Sequence, residues 1–412
     1  MYDIAIAFYA AMVRIASLFH RKARLMIKGH QKTFPILEAQ IQPNHRYIWF
    51  HAASLGEFEQ GRPLIEKIRK DKPEYKILLT FFSPSGYEIR KDYPGADIVC
   101  YLPFDFKRNV KKFLDLANPE MAIFIKYEFW MNYLTLLKKR DIPIYIISAI
   151  FRPNQIFFRW YGIKYRDVLD NYNWFFVQDQ NSMDLLKKLN HSNVSISGDT
   201  RFDRVEEIFR KRKEIPIIPK FLNQADTHNN FVLVAGSTWE KDEEIIISYF
   251  NQHPEIKLII APHEIKESRI KEIKAKLTRS YVLYSEATEK NIESVDCLIM
   301  DCFGLLSSTY RYGQIAYVGG GFGVGIHNIL EAAVYGIPVL FGPNYKRFKE
   351  AKELIAANGA FSIRTEEEFT NHVNNFLSYP TLLEEDGKSA KNYVINNLGA
   401  TQKIYEKIFF AK

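Results

Sequence analysis

After residue 45 the chain alternates short apolar runs with longer amphipathic stretches. The runs Tyr47–His51, Ile77–Phe82, Ala122–Ile125, Ile144–Ile147, Trp174–Val177 and Val194–Ile196 have the length and composition of strands. Strand-then-helix alternation predicts a parallel sheet with helices on both faces. The pattern weakens over 206–230, where charges, two prolines and an Asn/Asp/His cluster predict a linker. A second series follows: Phe231–Ala235, Leu258–Ala261, Tyr281–Tyr284, Cys297–Met300, Ile315–Val318 and Val339–Phe341. The expectation is an α/β protein of two doubly wound, Rossmann-like domains, 31–205 and 231–412, facing each other across a cleft. The last helix is a candidate to pack back on the first domain. Ligands of such sheets sit beyond the carboxyl ends of the strands, so the post-strand loops are where chemistry is expected.

The N-terminus departs from this alternation. Residues 4–19, IAIAFYAAMVRIASLF, are apolar apart from Arg14 and Ser17; His20, Arg21, Lys22, Arg24, Lys28 and Lys32 follow, with no acid between Asp3 and Glu38. The run is short for a membrane-spanning helix. A signal peptide would carry its charge first. Apolar-then-basic order fits a helix over 1–30 held at an inner leaflet by anionic headgroups. A surface helix packed on its own domain is the other reading.

Composition narrows the classes. The chain is 47% hydrophobic and 25% charged, a globular balance, and its net charge of +8 favours an anionic partner. An arginine-rich tail and an RNA-binding aromatic signature are both lacking, so nucleic acid ranks low. Three cysteines, Cys100, Cys297 and Cys302, make neither a disulfide framework nor a zinc site. They fit a reducing, cytosolic environment.

The most informative stretch is 315–343. The run Ile315–Val318 stops at Gly319, Gly320, Gly321, Gly323 and Gly325; a helix-like segment with Asn328 and Glu331 follows, then the run Ile337–Phe341. Glycines let backbone approach a ligand, and a helix start offers N–H groups to an anion. Glu331 could accept from vicinal hydroxyls, so a ligand with both phosphate and sugar fits.

In the first domain, His51-Ala-Ala-Ser54-Leu-Gly56-Glu57 follows a strand and precedes an amphipathic helix. Gly56 is expected to permit a tight turn. Glu57 suits a general base or a helix-capping acid. Lys126 and Glu128 lie on another post-strand loop, where a solvated ion pair is equally open; Thr200 and Arg201 end a third strand and could meet an anion. In the second domain Ser237 and Thr238 suit a phosphate nest or a plain N-cap. Pro262-His263-Glu264 and Asp301-Cys302-Phe303-Gly304 end further strands. Motifs of the HExxH, CxxC or DxD type are lacking, and no metal or cofactor is expected.

Taken together and in order, these segments resemble the bacterial Kdo (3-deoxy-D-manno-oct-2-ulosonic acid) transferases. They are HAASLGE (51–57), YLPFD (101–105), YEFW (127–130), GDTRFD (198–203), AGSTWEKDEE (235–244), DCFG (301–304), GGGFG, HNILEAA (327–333) and IPVLFGP. The resemblance implies a B-type glycosyltransferase fold, a CMP-Kdo donor and a phosphorylated, acylated glucosamine disaccharide (lipid A precursor) as acceptor. It also implies inversion at the anomeric centre, no catalytic metal, and work at the cytoplasmic face of the inner membrane. It assigns Glu57 as base, with Ser54, Gly56, Lys126, Glu128 and Arg201 on the acceptor and Kdo side. Ser237, Thr238, Pro262, His263, Gly304, Gly323, Gly325, Asn328 and Glu331 fall on the donor side, Glu331 at the ribose. The chain departs from the family pattern at three places: no arginine follows Pro262, Leu305 stands where many members have an acid, and Lys126 replaces an acid. Another B-type enzyme using a UDP-sugar (a lipid-linked GlcNAc transferase or a 2-epimerase) is the alternative within the fold. A catalytically silent, membrane-bound nucleotide-binding protein is the alternative outside it.

Overall fold

The computed structural model describes residues 2–222 and 231–410. The segment 223–230 of the expected linker lies outside them. The first sheet contains β1 (Arg46–Ala52), β2 (Tyr75–Phe81), β3 (Ile98–Tyr101), β4 (Met121–Ile125), β5 (Ile144–Ala149), β6 (Trp174–Val177) and β7 (Val194–Ile196). The second contains β8 (Phe231–Thr238), β9 (Ile256–Pro262), β10 (Tyr281–Leu283), β11 (Cys297–Ile299), β12 (Ile315–Val318), β13 (Val339–Phe341) and β14 (Ala360–Ser362). Among the described residues all strand pairings are parallel, in the orders β3-β2-β1-β4-β5-β6-β7 and β10-β11-β9-β8-β12-β13-β14. Strands β3 and β14 were not expected from the pattern. Neither is a run of fully buried residues: in β14 only Ala360 is buried, and in β3 Val99 is half-buried.

Burial on both faces explains why the strands read as unbroken apolar runs. In β1, Trp49 points into one core with Phe113, Phe124 and Tyr133, while Ile48 and Phe50 point into the other with Phe58 and Ile65. The Trp49 indole donates to Thr80 Oγ1 at 2.8 Å, so its one polar atom is satisfied inside the core. The second sheet has the same construction around Leu233, Leu258, Ile260, Ile299 and Tyr317.

Packing divides the chain into two compact units, 1–204 with 398–412, and 205–397. The first therefore takes back the helix Ala400–Phe409, whose Ile404 and Tyr405 join the core beside Phe58. Part of the expected linker is helical: Thr200–Arg210 runs into it and Ile217–Phe221 lies within it.

Two helices precede β1: α1 (Tyr2–Ala16) and α2 (Arg21–Gln40). They are bent by 119°, and neither is long and apolar enough to cross a membrane alone. No residue of α1 is buried; Ile4, Phe8, Met12 and Ile15 stand exposed at helical spacing. Its start is tied down polarly. The Tyr2 hydroxyl donates to Asp105, and Asn132 Nδ2 donates to Asp3 Oδ1 at 2.9 Å.

Candidate active site

Each sheet reverses its winding direction once, between β1 and β4 in the first and between β8 and β12 in the second. Crevices at such reversals are the binding points of open α/β sheets. The carboxyl ends of these four strands and the turns directly after them carry Glu57, Lys126–Glu128, Ser237–Thr238 and Gly319–Gly325 respectively.

In the first unit, helix α3 (Leu55–Asp71) starts with Ser54 as its N-cap and Glu57 in its first turn. Glu57 Oε2 accepts from the N–H groups of Ala53 (2.6 Å) and Ser54 (3.2 Å). The capping role is thus real, yet it occupies one oxygen only. Oε1 has no hydrogen bond among the described residues. Burial, and secondly the charge of Glu128, push the Glu57 carboxyl up to about 7; the two N–H groups and Lys126 pull the other way. Gly56 is not a turn glycine: it sits in the helix, and a Cβ there would meet nothing within 4 Å.

Glu128 is not part of a solvated ion pair. It is buried, accepts from the Trp130 indole, and lies 3.0 Å from His51 Nε2. His51, fully buried in β1, has Nδ1 2.8 Å from Thr80 Oγ1. The Tyr172 hydroxyl donates to the Glu128 carbonyl. Lys126 takes a left-handed backbone (φ 72°), rare for a residue with a side chain, which turns the chain sharply after β4. Arg201 pairs with buried Asp199 at 2.7 Å, so its charge is partly spent inside the unit. Burial alone would raise the Asp199 carboxyl, but the Arg201 charge and hydrogen bonds hold it below its usual value. Thr200 bonds Ser148 and the Gln60 carbonyl, which makes it a brace between elements.

In the second unit the helix starts at Glu240, two residues beyond Thr238. Thr238 Oγ1 donates to Glu243 at 3.0 Å and is neither N-cap nor free donor. Ser237, at φ 53°, makes the bend. Asp242 organises the site: it accepts from Trp239 N–H (2.9 Å), Gly320 N–H (2.9 Å) and the Tyr317 hydroxyl (2.7 Å). It thereby ties the loop after β8 to the glycine loop after β12. A cavity of about 260 Å³ lies between these loops, lined by Trp239, Lys241, Asp242, Gly320, Phe322 and Gly323.

The glycine loop does not feed a long helix. Its segment ends in four helical residues, Leu330–Ala333, so the helix-start contribution is smaller than the sequence suggested. Gly325 has φ 128°, a backbone conformation that strains any residue with a side chain, and a Cβ there would also crowd the Arg347 guanidinium (2.6 Å) and the Phe348 ring (2.9 Å). Asn328 Nδ2 donates to Glu331 Oε1 at 3.1 Å, and Ser307 donates to Glu331 Oε2. Asn328 Oδ1 is buried without a partner in the described residues, an acceptor available to a ligand.

Pro262 ends β9, and His263 follows in a stack of three rings: Trp239 on His263 (4.7 Å) and His263 on His327 (4.3 Å). The Trp239 indole is 3.1 Å from His327 Nε2. Burial, then His263, lowers His327 to about 4, and burial lowers His263, so both rings are neutral at neutral pH. Gly304 forms a left-handed turn (φ 81°) after β11. Gly323 lines the cavity. Sequence reasoning missed His51, Asp242, Trp239 and Ser307. The acids of EKDEE looked like ordinary first-turn residues, and a histidine inside an apolar strand carries no signal of its own.

Two parallel sheets with the candidate groups at their winding reversals define a B-type glycosyltransferase fold. Over 88% of the chain, the fold superposes on UDP-GlcNAc 2-epimerase from Neisseria meningitidis with a TM-score of 0.61 at 17% identity, covering 99% of that protein. Sequence relatives are more specific. The family model of the 3-deoxy-D-manno-octulosonic-acid transferases matches residues 23–204. The chain is 29% identical to the 3-deoxy-D-manno-octulosonic acid transferase of Aquifex aeolicus, over 83% of this chain and 89% of that one. With the enzyme of the same description from Chlamydia muridarum it shares 26% identity, over 96% and 91%. By sequence the chain is thus similar to Kdo transferases over most of its length.

Proposed function

We propose that the protein moves Kdo from CMP-Kdo to an acylated, phosphorylated glucosamine disaccharide, with inversion and without a catalytic metal or cofactor. Glu57 carries the reading. Its free Oε1 takes the proton of an acceptor hydroxyl, and a carboxylate displaced to about 7 is half ionised at neutral pH yet basic enough to accept it. The hydroxyl oxygen then forms the new bond to the anomeric carbon as the bond to the CMP phosphate breaks, and CMP leaves with the electron pair. Asn328 Oδ1 and the Glu331 carboxylate, both acceptors, suit the hydroxyl and amino donors of a nucleotide. Lys241 on the cavity wall is a candidate to replace the arginine absent after Pro262. The likeness to UDP-sugar enzymes rests on fold alone, whereas the relatives by sequence are Kdo transferases.

The acceptor in this reading is lipid-borne, and the protein works at the cytoplasmic face of the inner membrane. The exposed apolar face of α1, with Arg14 and the basic residues after it, supports that placement. Incubation with CMP-Kdo and a tetra-acylated disaccharide, followed by mass spectrometry, tests the whole reading. The expected product carries added Kdo with the wild type and not with Glu57→Gln, which still binds CMP. Near-normal product from Glu57→Gln would overturn the base assignment.

A further inference from the structure

The segment after β5 has no part in the reaction proposed above, and its surface is unusual. From Ile142 to Arg166 the chain has no acidic residue but contains Arg152, Arg159, Lys164 and Arg166. It folds as short helical turns at Ile156–Phe158, Trp160–Gly162 and Ile163–Arg166. The inner side is well anchored: Phe157 is buried with its ring 4.8 Å from Phe129, and the Arg166 guanidinium donates to the Phe157 carbonyl at 2.8 Å. Gly162 sits so close to the Ile156 carbonyl that a Cβ would lie 1.7 Å from its oxygen, which fixes the turn. The outer side presents Trp160 (83% exposed), Tyr161 (59%) and Ile163 (59%) together. Arg152, Arg159 and Lys164 are exposed around them.

A folded segment that holds an indole, a phenol and an aliphatic chain in water is costly unless something covers them. The surrounding cations select the cover. Trp and Tyr concentrate at membrane–water interfaces, and Lys and Arg are drawn to anionic headgroups. An acidic protein partner would satisfy the charge but gives no reason for an indole and a phenol to stand together at the surface. The segment is also connected to the candidate active site. Arg152 lies 5.8 Å from the Tyr127 ring, on whose other neighbour, Lys126, the ammonium lies 5.3 Å away. Tyr127 directly precedes Glu128.

We infer that residues 152–164 form a second membrane contact, separate from α1, that seats on an anionic lipid surface and holds the Lys126–Glu128 loop at headgroup level. The inference rests on the reading that the acceptor is lipid-borne, and it adds how such an acceptor meets the loop without leaving the bilayer. The full-length protein is tested by sedimentation with vesicles of phosphatidylglycerol and phosphatidylcholine, and with phosphatidylcholine alone. Three forms are compared: wild type, Phe8→Ser/Met12→Ser/Ile15→Ser in α1, and Trp160→Ser/Tyr161→Ser/Ile163→Ser. Both triple variants are expected to lose roughly tenfold or more in binding to anionic vesicles, with unchanged thermal melting. Arg159→Gln/Lys164→Gln is expected to lose mainly the part of binding that salt removes. Brominated lipid should quench a component of tryptophan emission that Trp160→Phe lacks, a readout independent of the triple variant's folding. Wild-type binding by the Trp160 triple variant, with loss confined to the α1 variant, would overturn this inference and leave the membrane reading standing. Failure of the wild type to bind any vesicle would overturn both.

Discussion

If Glu57 is the base and Glu128 helps to hold its proton, neutralising Glu128 should make Glu57 a stronger acid. The Glu57 carboxyl is displaced from its usual 4.5 to about 7, a difference of roughly 3 kcal/mol between its two protonation states. Burial is the larger cause and the Glu128 charge the second, so Glu128→Gln should remove the smaller of the two upward pushes and leave the larger in place. The acid limb of kcat/KM is therefore expected to move down, towards but not as far as the usual carboxylate range. Lys126 acts in the opposite sense, and Lys126→Met should move the limb up. The assay is kcat/KM for Kdo transfer between pH 5 and 9 (roughly the range around the expected limb) in wild type and both variants. Opposite shifts are the signature, because general damage near the site lowers rate without moving a limb both ways. Unmoved limbs, or two shifts of the same sign, would refute the reasoning. The same displacement affects stability. Between about 4.5 and 7 the folded protein keeps a proton that the unfolded chain has released, so this contribution is complete at low pH and is lost as pH rises through about 7. Glu57→Gln should flatten that part of the stability profile.

Three further outcomes are expected. Asp242→Ala removes the acceptor shared by Trp239, Gly320 and Tyr317, and should destabilise the second unit by about 3 kcal/mol in urea unfolding and weaken nucleotide binding. Unchanged midpoint and affinity would count against the organising role. Glu331→Gln should weaken CMP binding roughly tenfold by calorimetry while thermal melting stays put, since the loss of one charge-assisted hydrogen bond to a ligand is about this size. Ile404→Ala should cost about 2–5 kcal/mol and destabilise the first unit, not the second, because Ile404 is buried beside Phe58.

The alternation of apolar runs made both sheets legible, because strands buried on two faces leave unbroken apolar runs that little else imitates. Ile315–Val318 and Val339–Phe341 match their strands to the residue. Strands β3 and β14 did not stand out because they are incompletely buried. Glu57 was legible as a helix-start acid, but the division of labour between its oxygens depends on where Ala53 and Ser54 point their N–H groups. Position on a post-strand loop could not distinguish a solvated Glu128 from one buried against His51, which lies 77 residues away in sequence. The commitment of Thr238 to Glu243 was hidden similarly: its bond depends on where the helix begins, two residues later than hydroxyl spacing suggested.

The return of residues 398–412 to the first unit sets an order of events during synthesis. Residues 205–397 are contiguous and can complete their sheet as soon as they leave the ribosome. The first unit, begun earlier, stays without Ile404 and Tyr405 in its core until the helix Ala400–Phe409 emerges. At about 5–20 residues per second, the roughly 200 residues from 205 to 404 take some 10–40 s to make. For that interval an apolar patch on α3, the helix that carries Glu57, lacks its cover. A nascent chain stalled within the second unit should therefore be a client for chaperones through its first unit, the half that was translated first and finishes last.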